Sequence, residues 1–235
     1  MNARWPERDA ATVPVVDAPT MLEVDRVAER RGLALLQMME NAGRSLADVV
    51  VTGHHPASVV VLVGTGGNGG GGMVAARHLA DRGVAVSVHA TGPPATDGVP
   101  AHQRALLGAM GGLVDDGGTP PAADVVIDAV IGYSLTGELR GRAADLVAWA
   151  NDGAAPVVAL DVPSGFDATT GRCGRLAVRA DTTLTLALPK RGLVGAPCAG
   201  DVLLADISVF AAVYAELGID VPADLFADAQ VVALR

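Results

Sequence analysis

The 235-residue sequence predicts an α/β fold: one doubly wound, mostly parallel sheet with helices on both faces. Three observations carry that reading. Half of the residues are apolar but only 3% are aromatic, so Val, Ala and Leu must fill the core, as where Val-rich parallel strands are covered by Ala-rich helices. Continuous β-branched runs such as SVVVLV and DVVIDAV have the composition of strands buried on both faces. Stretches of helical period separate these runs, and strand–helix–strand alternation implies right-handed crossovers.

The elements follow in chain order. Residues 1–17 lack periodicity and read as a disordered or loosely docked arm, leaving 18–235 as one domain. Thr20 is placed to cap a short helix through Met21, Val24 and Val27 that ends at Gly32. A second helix carries its apolar stripe on Leu35, Met38, Met39, Ala42, Leu46, Val49 and Val50. The first buried strand, 58–64, ends in GTGGNGGGG, read as a loop before a helix that starts near Met73. A strand over 84–90, a helix over 100–112 and a strand over 124–130 complete a βαβαβ unit. A helix over 140–151 and strands over 156–163, 181–188 and 201–208 continue the pattern to about residue 210, and the tail reads as a helix plus a terminal strand.

Charge and cysteine usage exclude several function classes. A formal charge of -9 and a pI near 4.9 argue against general nucleic-acid binding, which needs a basic face. No apolar stretch reaches membrane-spanning length and the N-terminus lacks a signal-peptide pattern, so a cytoplasmic protein is expected. Cys173 and Cys198 sit in no metal-ligand spacing and read as reduced thiols. His54, His55, His78, His89 and His102 form no zinc pattern.

In such a sheet, ligands bind outside the carboxyl ends of the strands where the strand order reverses. Four segments that follow strands are therefore expected to converge, bringing Asp128, Asp161, Ser164 and Lys190 to one site beside the glycines. Gly64, Gly66 and Gly69 satisfy G-x-G-x-x-G, but no acidic residue ends the next strand to hold a ribose, and no Lys-Ser/Thr pair follows as in a Walker loop. What remains is an anion cradle of backbone N–H groups at a helix amino end. Two carboxylates at one sheet edge with a nearby Ser favour a cation or acid–base chemistry.

The segments MMENAG, GTGGNGGGGMVAARHL, DAVIG, LDVPSGFDATTG and LPKRGL, in this order, resemble the NAD(P)H-hydrate epimerase family, the YjeF N-terminal type of domain, from about Thr20 to Ser208. The resemblance implies a three-layer α/β/α Rossmann-like sandwich with N-terminal helices, a homodimer, and interconversion of the R and S forms of NADHX and NADPHX. That repair reaction feeds a separate dehydratase. It implies substrate contacts from Gly67, Asn68, Gly69, Gly70 and Gly71, from Gly132, Tyr133, Ser134, Leu135, Thr136, Gly137 and Glu138, and from Asp161. One potassium ion per subunit would be held by Asn68, Asp128 and Ser164. Inverting the hydroxyl-bearing carbon needs a proton donor and an acceptor, and Asp128 with Lys190 or Asp161 is expected to supply them. The family loop reads Gly-x-Gly-Asn-Asn-Gly-Gly-Asp-Gly, so Gly67 and Gly71 replace an Asn and an Asp. Those two changes leave open a nucleotide-binding or scaffold module, or a pocket for another small molecule.

Overall fold

The computed structural model describes residues 5–93 and 96–235. A nine-stranded sheet organises the chain from β1 (Glu7–Arg8) to β11 (Val231–Leu234). Its other strands are β2 (Ser58–Val63), β3 (Ala85–Ala90), β4 (Val114–Asp115), β5 (Val125–Ala129), β6 (Val157–Leu160), β9 (Thr182–Leu186) and β10 (Asp201–Ala205). A separate two-stranded ribbon pairs β7 (Phe166–Asp167) with β8 (Arg172–Cys173). The helices are α1 (Ala18–Arg30), α2 (Leu35–His54), α3 (Gly67–Asp81), α4 (Gly98–Ala109), α5 (Gly141–Asp152) and α6 (Ala211–Glu216).

The strand order is β1-β11-β10-β9-β6-β5-β2-β3-β4, parallel from β4 across to β10 and antiparallel only between β10 and β11. From β2 the chain steps outward through β3 to β4; from β5 it steps the other way through β6, β9 and β10. The order therefore reverses between β2 and β5, and the crevice at their carboxyl ends is where the fold opens a site.

Alternation along β2 shows how the two faces are used. Val59, Val61 and Val63 pack with Leu46 and Val50 of α2 and Met73 and Leu79 of α3, whereas Val60 and Leu62 pack with Leu146, Val147 and Ala150 of α5. All of these are buried, at about 1.5 to 3 kcal/mol for each large side chain. A third cluster joins Met21, Val24 and Val27 of α1 to Leu204 of β10, Val232 of β11 and Val213 of α6. This is the expected α/β sandwich, with the predicted tail helix and terminal strand in place.

Several expectations are corrected. Residues 5–17 are no loose arm: β1 pairs with β11, a single 3-10 turn covers Ala10–Thr12, and Val13 and Val16 are buried. Residues 1–4 lie outside the described residues. The segment lacks periodicity because a two-residue strand and one turn are too short to display any. Helix α1 is capped by Asp17, whose carboxylate accepts from Thr20 N (3.0 Å) and Thr20 Oγ1 (2.6 Å), so Thr20 lies inside the first turn. Cys173 and Cys198 form a disulfide with Cα atoms 6.3 Å apart. The ribbon of β7 and β8 delivers Cys173 to the turn that follows Lys190, a proximity no spacing rule reveals. The bond thereby ties the segment bearing Asp161 and Ser164 to the segment bearing Lys190.

Candidate active site

A cavity of about 430 Å³ opens at the reversal point, bounded by α1 and α2, the amino end of α3 and the segments after β5, β6 and β9. One wall is apolar, built from Met21 and Leu22 of α1, Met38 and Met39 of α2, and Leu160, Leu186 and Ile207. Asn68, Tyr133, Asp161, Lys190 and Asp25 supply the polar groups. An apolar pocket with a few convergent polar groups is the usual form of a small-molecule site.

The glycine-rich stretch is helix, and this is the largest departure from the expected structure. Helix α3 begins at Gly67, with Gly66 as its N-cap, rather than near Met73. Each glycine in a helix interior costs about 1 kcal/mol relative to Ala, so packing must account for them. A Cβ on Gly69 would run into the carbonyl oxygen of Gly64; on Gly70 it would lie 2.5 Å from Met39 Sδ, and on Gly72 2.6 Å from Ala129 Cβ. On the facing helix, a Cβ on Gly43 would collide with Val74. The missing side chains let α3 lie close to α2 and the sheet ends. The first intrahelical bond to this turn is Gly70 N to Gly66 O (3.1 Å), so the N–H groups of Gly67, Asn68 and Gly69 are free of helical partners at the positive end of a 15-residue helix.

Asp161 and Lys190 meet at the cavity as a buried ion pair, 3% and 1% exposed as residues. Asp161 stands in the left-handed region at φ 69°, which Asp tolerates better than most residues. Its N–H is anchored on Leu184 O (2.7 Å) and its Oδ2 accepts from Tyr133 N (2.8 Å), leaving Oδ1 to Lys190 Nζ. Lys190 Nζ also donates to Leu186 O (2.9 Å). The N-terminal segment holds Lys190 in place: Val16 N donates to Pro189 O (3.0 Å) and Arg191 N donates to Val16 O (2.8 Å).

Asp128 and Ser164 form a second unit behind the first. Asp128 is fully buried, accepting from Ser164 Oγ (2.6 Å), Ser164 N (2.7 Å) and Val130 N (3.2 Å). Burial pushes its carboxyl up to about 6 despite the three donors. Among the described residues no Lys or Arg pairs with it. An anionic carboxylate without a cation, together with a Ser hydroxyl and an Asn amide oxygen, is an oxygen donor set of the kind hard cations take. Asn68 Oδ1 lies on the same side as Asp161 Oδ2: a Cβ on Gly132 would meet both, at 3.2 and 2.7 Å. Asn68 Nδ2 is buried without an acceptor. By donor chemistry alone, the oxygens of Asn68, Asp128 and Ser164 are of the kind a monovalent cation takes. No group of three His, Cys, Asp or Glu side chains among the described residues is arranged to hold a metal ion.

Comparison with known proteins bears directly on this site. The family described as YjeF-related protein N-terminus matches residues 35–192. The chain belongs to this family. The YjeF-type chain is 42% identical over 226 residues to the NAD(P)H-hydrate epimerase of Dehalogenimonas lykanthroporepellens, covering 93% of this chain and 92% of that one. It is 36% identical over 198 residues to the NAD(P)H-hydrate epimerase of Rhodopirellula baltica, covering 78% and 81%. Against the bifunctional NAD(P)H-hydrate repair enzyme Nnr of Salinibacter ruber it is 39% identical, and there it spans 42% of the longer protein. The crystal structure of yeast ynu0, YNL200c, shares the fold at a TM-score of 0.81 and 22% identity, covering 94% of this chain and all of that one.

In the YjeF-type chain, Gly67, Asn68, Gly71, Gly132, Tyr133, Ser134, Asp161 and Lys190 line the cavity. Gly69 and Gly70 do not, because they face Gly64 and Met39 inside the helix packing. Leu135, Thr136, Gly137 and Glu138 do not either; they continue into a largely exposed turn past the mouth. Asp128, expected to share proton transfer, does not line the cavity: its carboxylate is enclosed by the backbone of residues 130 and 164. Asp25, the apolar wall of α1 and α2 and the Val16 strap belong to the site without any motif to mark them. Asp25 carried a signal, since it interrupts the apolar stripe of Met21, Val24 and Val27 with a charge.

The two departures from the family loop have different surroundings. Nothing lies within 4 Å of a Cβ on Gly67, so that position is open toward the cavity. A Cβ on Gly71 would meet Leu160 Cδ2 at 2.8 Å, so Leu160 fills the space a larger residue would need.

Proposed function

We propose that the chain is an NAD(P)H-hydrate epimerase, an isomerase that interconverts the R and S forms of hydrated NADH and NADPH. The observation that carries this reading is the Asp161–Lys190 ion pair, buried yet lining the cavity beside the free amides of α3. Epimerisation inverts one carbon and leaves the substrate otherwise unchanged, so it needs a proton acceptor and a proton donor held together in a site shielded from water. Lys190 is the proton donor, and Asp161 holds its ammonium group at the cavity. Tyr133 N fixes one carboxylate oxygen, leaving the other to face Lys190. The amides of Gly67 and Asn68 hold the substrate's diphosphate, and the apolar wall receives a flat ring.

Asn68, Asp128 and Ser164 are the residues that hold potassium in this reading. A potassium ion held by these residues would supply the positive charge that the buried Asp128 carboxylate lacks. Relatives in which this domain makes up less than half of a bifunctional repair enzyme support a product passed on to a second repair activity.

The test mixes purified protein with a single NADHX epimer and follows equilibration by chromatography, in potassium and in tetramethylammonium buffers. Acceleration over the spontaneous rate, greater in potassium, is expected. Nucleotide binding without acceleration would replace this reading with that of a binding module.

A further inference from the structure

A second pair of proton-bearing groups lines the cavity beside Lys190, whose Nζ lies 5.8 Å from the Tyr133 ring centre. Tyr133 Oη donates to Asp25 Oδ2 at 2.5 Å, joining the segment after β5 to α1 across 108 residues of sequence. Both residues line the cavity, and Asp25 has no Lys or Arg partner among the described residues, Arg26 being turned to Glu23. The charged and titratable groups facing Asp25 are Tyr133, Lys190, Asp161, Glu29 of its own helix, and Tyr214 of α6. Burial raises the Asp25 carboxyl and the Tyr133 phenol alike. A carboxylate set into the apolar face of α1 costs stability, and a merely structural tie to Tyr133 could be made by a neutral amide.

We infer that Asp25, acting through the Tyr133 hydroxyl, is the terminus of a proton path to the substrate's hydroxyl-bearing carbon. The inference rests on the epimerase reading and assigns a role within it. The substrate hydroxyl gives its proton to Tyr133 Oη as Tyr133 gives its own to Asp25. The carbon–nitrogen bond of the ring opens as the carbonyl forms, and the ring nitrogen takes a proton from Lys190. The carbonyl then presents its other face, the nitrogen re-forms its bond there while returning its proton to Lys190, and Asp25 returns the first proton through Tyr133. No proton or electron is gained or lost overall. Tyr133 is the catalytic residue of this pair and Asp25 its positioning residue.

The test measures kcat and KM for Asp25→Asn, Asp25→Glu, Tyr133→Phe and the double variant Asp25→Asn/Tyr133→Phe, each checked for folding by thermal unfolding. Asp25→Asn and Tyr133→Phe are expected to lower kcat about 100-fold, the lower range of general acid–base effects, with KM within about threefold. The double variant is expected to be no slower than the slower single, and Asp25→Glu to recover at least tenfold over Asp25→Asn. Full activity in either single variant, a loss confined to KM, or additive losses in the double variant would overturn the inference while leaving the epimerase assignment intact. Failure of the wild-type protein to accelerate epimerisation would overturn both. If Asp25→Asn does not fold, Tyr133→Phe alone decides the matter by the same criteria.

Discussion

Asp128 sits at the junction of folding and function, because a carboxylate with no exposure and, among the described residues, no cationic side chain is held only by hydrogen bonds. Its native pKa, about 6, lies above the ordinary 3.8, so the folded protein binds more protons than the unfolded chain between those values. Stability from this group is therefore fullest below pH 3.8 and is lost as pH rises through about 6, by on the order of 3 kcal/mol. In cation-free buffer, the stability of the wild-type protein relative to Asp128→Asn is expected to be larger at pH 4.5 than at pH 7.5 by about 2 kcal/mol. Added potassium should raise the wild-type midpoint at pH 7.5 and leave Asp128→Asn unmoved. Equal differences at the two pH values in thermal or urea unfolding would refute the buried-carboxyl account. Asp128 was legible in the sequence as an acid ending a buried strand, but its separation from the cavity was not. Both Asp128 and Asp161 end strands of the same sheet edge, and only the turn after each strand decides which carboxylate faces the ligand.

At the scale of the element, α3 shows what sequence patterns capture and what they omit. Its strands and flanking helices were legible because full burial in a parallel sheet forces continuous Val and Leu runs, and partial burial forces helical stripes. The start of α3 is not legible in the sequence, since six glycines between Gly66 and Gly72 contradict helix propensity and only tertiary contact explains them. The short β4, β7 and β8 strands were missed for a related reason: two residues carry no period. The close packing leads to a contrast between neighbouring positions. Gly67→Asn should change stability by less than about 1 kcal/mol, because its Cβ meets open space. Gly71→Asp should cost about 1 to 3 kcal/mol, because it drives a carboxylate against Leu160. Combining Gly71→Asp with Leu160→Val should cost less than the two changes summed, a coupling that unfolding of the four proteins in a double-mutant cycle would measure. Strict additivity would show that Leu160 does not set the limit.

For the whole molecule, the two ends of the chain close one side of the sheet together. Pro6 O accepts from Ala233 N (2.8 Å), Arg8 O from Arg235 N (3.0 Å), and Arg235 O from Ala10 N (2.9 Å). Beneath this cover lies β11, four buried apolar residues in sequence, Val231 to Leu234. A strand of that composition with a free backbone edge is a template for pairing with other chains, and proteins commonly blunt such edges with short, charged strands. Glu7 and Arg8 provide such a cover, with Arg8 fastened to Leu225 O (3.1 Å) and Asp228 (3.1 Å). Removing residues 1–8 should therefore do more than lower the unfolding midpoint. Static light scattering is expected to show concentration-dependent growth of the trimmed protein beyond the assembly state of the protein with residues 1–8, and a trimmed protein that keeps that state at all concentrations would remove this role from β1. The opening segment thus works as a guard against intermolecular β-pairing as well as a strap for Lys190, so one stretch without any visible pattern protects both solubility and the site.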